Sequence, residues 1–151
     1  MQNIHKIVFR NSKPYAGKLR KKGEEVAVMD SKRNVVHEGA PQARISHLLK
    51  ELKEWYEKNK NRYPALVLGT AVHNQFENIH PFADGNGRVG RILLNNILIK
   101  HKLPPININL ENRMEYYYSL QAYEKNHDLM PTIKLFVKEY KRLWKKVIRV
   151  F

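Results

Sequence analysis

The chain has 151 residues and no cysteine; 42% of it is hydrophobic, and 28 Lys and Arg outnumber 14 Asp and Glu, giving a formal net charge of +14. That length suits one domain able to bury its own core. The apolar fraction excludes a disordered polymer, and the missing thiols exclude a disulfide framework and a thiolate metal site. The charge attracts polyanions in general, although the lysines are spread along the chain in the manner of a solvated surface.

Residues 1–9 are too short and too polar for a signal peptide. No apolar run reaches the roughly 20 residues of a membrane helix; the best one, residues 92–99, is interrupted by Asn95 and Asn96. A cytoplasmic protein with no membrane partner is therefore expected.

The first thirty-odd residues read as extended and mixed, although residues 4–9 also look like the tail of a helix cut short. Residues 25–29 and 34–37 are short β-branched runs around the polar stretch 30–33, which predicts a β-hairpin. After Pro41 the period changes. Ile45, Leu48, Leu49, Leu52, Trp55 and Tyr56 recur at helical spacing, ending near the polar residues 57–62. A second helix after Pro64 carries Leu68, Ala71, Val72, Phe76 and Ile79, and must stop before Pro81, because the residue ahead of a proline avoids the α region.

Residues 81–87 form a glycine-bearing loop, and residues 88–100 are apolar around most of a helical circumference, which belongs in the middle of a bundle. Pro104 and Pro105 end that element, and residues 106–110 connect to a helix at about 112–126 with three consecutive tyrosines. A last helix, about 131–150, is expected to bury Ile133, Phe136, Val137, Tyr140, Leu143 and Trp144. The fold class is mainly α, a helical bundle with a small β-hairpin near its start, in one domain spanning 1–151.

Chemistry concentrates in residues 80–91, His-Pro-Phe-Ala-Asp-Gly-Asn-Gly-Arg-Val-Gly-Arg. Gly85 and Gly87 let the backbone approach a ligand and turn its N–H groups inward. The following helix adds free N–H groups and partial positive charge. Together they make an anion site suited to phosphate. Arg88 and Arg91, one turn apart at the same helix end, can grip that phosphate. Asp84 is out of place beside phosphate unless a cation lies between them, and Mg²⁺ binds in that way through one carboxylate plus phosphate oxygens. His80 titrates in the range of a general base. A lone GxG is usually only a turn, and an isolated histidine is usually a cap. The conjunction within twelve residues specifies phosphoryl or nucleotidyl transfer.

This segment resembles the Fic signature, His-x-Phe-x-Asp/Glu-Gly-Asn-Gly-Arg-x-x-Arg, at every fixed position. Residues 68–79 are similar to the helix before the Fic loop. Residues 15–20 and 35–41 resemble the family's entry strand and flap, and Arg113 to Tyr117 with Leu120 its adenine-side helix, so the likeness covers almost the whole chain. The resemblance implies transfer of AMP from ATP to a Ser, Thr or Tyr hydroxyl of a target protein, with release of pyrophosphate. On that reading His80 is the general base, Asp84 holds Mg²⁺, and Gly85, Asn86 and Gly87 form the cradle, with the Asn86 side chain donating to the α-phosphate. Arg88 and Arg91 hold the β- and γ-phosphates, and Phe82 anchors the loop in the core. The flap residues Val35, Val36, His37 and Glu38 would pair with a strand of the target, and Tyr116 and Tyr117 would flank adenine. Where relatives often carry an asparagine, this chain has Glu124.

Many Fic proteins are held off by a helix with the pattern Ser/Thr-x-x-x-Glu-Gly/Asn. The nearest match, residues 34–39, starts wrongly and falls in the expected flap strand, so it reads as a decoy. Inhibition is then expected from an absent upstream helix or a separate, antitoxin-like partner; a homodimer stays open. The alternatives are a Doc-type phosphotransferase, disfavoured by Gly87 and Arg91, and a basic nucleic-acid module using Lys138, Lys141, Arg142, Lys145, Lys146 and Arg149. An inactive Fic relative is disfavoured because no motif position is missing.

Overall fold

A computed structural model describes residues 1–10, 12–24, 26–29 and 35–148. The described residues form α1 (Gln2–Val8), β1 (Ala27–Met29), β2 (Val35–Glu38), α2 (Ile45–Asn59), α3 (Ala65–Ile79), α4 (Asn86–Lys100), α5 (Arg113–Asn126) and α6 (Met130–Ile148), with 3₁₀ turns leading into α2 and α5. The fold is mainly α, as the periodicity predicts. None of these helices is long and apolar enough to cross a membrane.

α4 is the hub. Its Val89 and Ile97 join Ile45 and Leu52 of α2 and Leu68, Val72, Phe76 and Ile79 of α3 in one core, which Phe82 of the loop completes. Its Leu94 and Leu98 join Ile106, Tyr116 of α5, and Leu135 and Phe136 of α6 in a second. This placement explains why α4 is apolar on most sides. Its polar exception, Asn95, is put to use: the side-chain amide donates to the Ile106 carbonyl and accepts the Ile106 N–H at 3.1 and 2.8 Å, fastening the connector to the helix. α3 and α4 approach closely where Gly69 meets Leu94, since a Cβ there would lie 3.0 Å from Leu94 Cδ1.

The hairpin expected near the start is present. β1 and β2 pair antiparallel, Ala27 opposite Glu38 and Val28 opposite His37, with an irregularity between Val28 and Met29. Its turn, residues 30–34, lies outside the described residues, as do Arg149 and Val150 of the expected last helix. The segment matching the inhibitory pattern forms strand β2, so Glu38 sits on a strand and not on a helix.

Two expectations need correction. Residues 2–8 are helical, which corrects the extended reading and agrees with the helix seen in residues 4–9. Ile4, Ile7 and Val8 favour strands in isolation, but packing decides here: α1 lies against α4 and buries His5 completely. In α6, Leu143 and Trp144 are exposed and Leu135 is buried in their place. The inward face runs through Leu135, Phe136 and Glu139, and the helix outruns the bundle beyond it. Glu139, almost fully buried, accepts the Asn109 N–H and an Asn112 side-chain N–H at 3.0 and 2.7 Å, which ties α6 to the start of α5.

Candidate active site

α3 runs into the loop through His80, which adopts the left-handed conformation, φ 50° and ψ 60°. A non-glycine residue there costs about 1–2 kcal/mol and persists only where its surroundings hold it. The His80 ring is nearly buried, with Nδ1 3.2 Å from the Glu77 carbonyl. A carbonyl only accepts, so Nδ1 carries the hydrogen and Nε2 keeps its lone pair. Burial above all, helped by the neighbouring His37 and Arg20 and opposed by the Glu77 hydrogen bond, brings the ring's pKa down to about 4. The imidazole is therefore neutral at pH 7, as a base must be.

The loop is built from both sides. Asn86 Oδ1 accepts the Phe82 N–H at 2.9 Å and its Nδ2 donates to the Phe82 carbonyl at 2.7 Å, closing the loop 82–86 on itself. Both ends of the Asn86 amide are thus engaged within the loop. The side chain braces the cradle, using one of its two Nδ2 hydrogens. Gly85 has φ +80° and lies against the Phe9 ring, which leaves no room for a Cβ. Asp84 accepts the Gly85 N–H at 2.6 Å with one carboxylate oxygen, and the other lies 3.3 Å from Arg88.

α4 starts at Asn86 with no side-chain cap, so its first N–H groups face outward from the loop. Arg88 spreads over the Phe9 ring, 4.2 Å from its centroid. Arg91 lies against Gly87, where a Cβ would come within 3.1 Å of its guanidinium. Gly87, Arg88 and Arg91 therefore surround one helix end, as expected of an anion site. Among the described residues no group of three or more His, Asp or Glu could surround a metal ion. A cation at the half-exposed Asp84 would take its other ligands from substrate phosphates and water, a mode that suits Mg²⁺.

Beside His80 lies a narrow cleft between β2, α3 and α5, lined by His37, Asn78, Tyr117 and Leu120, with Asn74 and Glu77 beneath. Asn74 Oδ1 and Glu77 Oε1 are buried there without a protein donor. Tyr117 reaches this cleft. Tyr116 does not: it sits in the second core with its hydroxyl on His73 Nε2 at 3.0 Å. His37 closes the cleft, with Nε2 on the Asn78 carbonyl at 3.1 Å and Nδ1 on the Glu124 carboxylate at 3.0 Å. Val35 and Glu38 of the flap are exposed; Val36 lies on the same strand. Of the basic residues on α6, Lys138 is bound to Glu115 and Asn112, and Arg142 to Glu139.

Sequence reasoning missed the residues that brace this site from outside the motif. His5 accepts the Gly17 N–H on Nδ1 at 2.8 Å, so its Nε2 donates to the Asp84 carbonyl at 3.0 Å, while its ring stacks on Phe82. Arg20 donates to the His80 carbonyl at 3.0 Å. Glu77, buried against Gly90 where no Cβ would fit, has its pKa raised to about 7 by burial, with Arg91 opposing. No spacing within the motif points to any of them.

In this mainly helical domain a left-handed histidine with its Nδ1 on a carbonyl thus precedes a helix N-terminus bearing two arginines. The Fic/DOC family profile matches residues 1–98. The chain belongs to the Fic/DOC family. It is 38% identical over 81 residues to the probable protein adenylyltransferase aq_aa38 of Aquifex aeolicus, covering 54% of this chain and 24% of that protein. To the protein adenylyltransferase fic-1 of Caenorhabditis briggsae it is 31% identical over 137 residues, covering 89% of this chain and 25% of the other. The chain thus spans about a quarter of the length of these relatives. Among solved structures it resembles a Fic family protein from Desulfovibrio desulfuricans G20 (TM-score 0.82, 26% identity, 99% of this chain and 46% of that one). It also resembles Fic-1 from C. elegans (TM-score 0.80, 26% identity, 99% and 42%).

Proposed function

We propose that this chain transfers AMP from ATP to a hydroxyl side chain of a target protein. The observation that carries this reading is the fixed tautomer of His80, which leaves Nε2 unprotonated on the residue that opens the loop into the phosphate-suited start of α4. His80 Nε2 takes the proton of the incoming hydroxyl. The oxygen then bonds to the α-phosphorus of ATP as the bond to pyrophosphate breaks. The N–H groups of Gly87 and Arg88 and the guanidinium groups of Arg88 and Arg91 hold the charge that builds on the phosphates. Asp84 would hold Mg²⁺, which would supply Lewis-acid neutralisation at those oxygens.

The cleft beside His80 supports a nucleoside there. Asn74 Oδ1 presents an acceptor to an amine or ribose hydroxyl, and Tyr117 and Leu120 present apolar surface. Strand β2 would align the target's hydroxyl by main-chain pairing. A glutamate brought to Arg91 by an inhibitory helix or partner would displace the terminal phosphate. The shared hub α4 supports reading residues 1–151 as one domain, and the absence of cysteine fits a cytoplasmic setting.

Intact mass after incubation with Mg²⁺ and ATP, in cell lysate as acceptor source, tests the proposal. Wild type should add about 329 Da to itself or to a lysate protein, and His80→Ala should lower that rate by about 10²–10⁴-fold. An adduct of about 80 Da would instead mean phosphoryl transfer of the Doc type. Failure to modify the chain or any lysate protein would remove the assignment.

A further inference from the structure

Arg20 lies outside the motif, before the flap, and only 4% of it is exposed. Its guanidinium meets three backbone carbonyls. Nε donates to His80 at 3.0 Å, one Nη to Glu24 at 3.2 Å, and the other Nη to Ala40. Its own N–H donates to the Pro81 carbonyl at 3.0 Å, and the Ala40 N–H to the Ile79 carbonyl at 3.2 Å. The His80 carbonyl and the exit of the flap at Ala40 therefore meet on this one side chain, while main-chain N–H groups of Ala40 and Arg20 hold the carbonyls of Ile79 and Pro81 on either side of His80. The packing leaves no slack: a Cβ on Gly39 would come within 2.9 Å of both Arg20 Nη2 and His80 Cβ.

We propose that Arg20 is the positioning residue of His80: by gripping the His80 carbonyl and the flap exit together, it fixes the left-handed backbone that turns ring Nδ1 onto Glu77 and leaves Nε2 unprotonated beside the flap. The inference rests on His80 being the base of the proposed transfer. It also ties the flap to the base, because any displacement of Ala40 pulls on the group that holds His80. A simple fastener would act otherwise, since its loss would lower stability and leave the ring's tautomer alone. The Arg20 charge adds a second effect by disfavouring a second proton on the ring, after the larger contribution of burial.

The test reads the ring directly, by ¹⁵N NMR of histidine-labelled full chain, with the His80 signals assigned by their loss in His80→Ala. Wild type should show the neutral Nδ1–H tautomer at pH 7. Arg20→Lys keeps the charge, but a compact ammonium cannot span three carbonyls as a planar guanidinium does. It should therefore give mixed tautomers and at least a tenfold slower adduct formation at unchanged KM for ATP. Arg20→Gln should in addition raise the His80 midpoint slightly, since the Arg20 charge is the smallest of the influences that lower it. If Arg20→Gln does not fold, Arg20→Lys and Gly39→Ala decide, the latter wedging Arg20 from His80 while keeping the charge. Folded Arg20→Lys or Gly39→Ala with the wild-type tautomer overturns the proposal. Because the NMR arm needs no turnover, absence of AMP transfer would sink the functional assignment without touching this result.

Discussion

His80, His73 and Glu77 show how burial sets protonation around this site. Burial holds both histidines at a pKa of about 4, against an ordinary 6.5. The unfolded chain then binds more protons than the folded one between those values. Stability carried by the neutral rings is complete above pH 6.5 and is lost as pH falls through about 4. Glu77 has the opposite sign. Its pKa is raised from 4.5 to about 7, so the folded state favours the acid form, and its contribution is complete below 4.5 and lost as pH rises through 7. Thermal unfolding of wild type should therefore fall steeply between pH 6 and pH 4. Glu77→Gln should unfold at a higher temperature than wild type at pH 8, and that gain should vanish at pH 4. An equal gain at both pH values would mean that folding does not raise the Glu77 pKa.

At the scale of elements, the flap is held from both ends. Arg20 grips its exit at Ala40, and His37 links β2 to α3 through Asn78 and to α5 through Glu124. With a carbonyl and a carboxylate on its two nitrogens, His37 satisfies both contacts only when both nitrogens carry hydrogen. Glu124→Gln should weaken this link. Hydrogen exchange in residues 35–38 should speed up several-fold in this variant, while α3 amides keep their protection. Unchanged exchange in β2 would show that Asn78 and Arg20 hold the flap unaided. Glu124 thus serves as the α5 end of a flap–helix tie.

In the molecule as a whole, α4 belongs to both cores, and neither half can lose its packing without exposing the other face of that helix. Phe136, fully buried in the second core, tests this. Phe136→Ala should cost about 3–5 kcal/mol. The loss should appear as one lowered denaturant midpoint, the same by helical circular dichroism and by tryptophan fluorescence. Two separated transitions would mean that the α5–α6 half melts alone and that α4 does not couple the cores.

The amino-acid sequence by itself determined the chemistry of the loop and the main helices. Residues 80–91 are contiguous, and a glycine turn running into a helix brings Asp84, Arg88 and Arg91 together by local geometry alone. The apolar spacing of residues 45–79 and the all-round apolar character of 88–100 likewise encode helices whatever surrounds them. Tertiary structure decided what lies across the chain from that loop. His5 reaches Asp84 over 79 positions and Arg20 reaches His80 over 60, and no periodicity records such a pairing. Packing also turned Tyr116 inward and Tyr117 toward the cleft, made a helix of residues 2–8, and left Trp144 on the surface. In each case a local preference was weaker than the free energy of burying one particular face against α4.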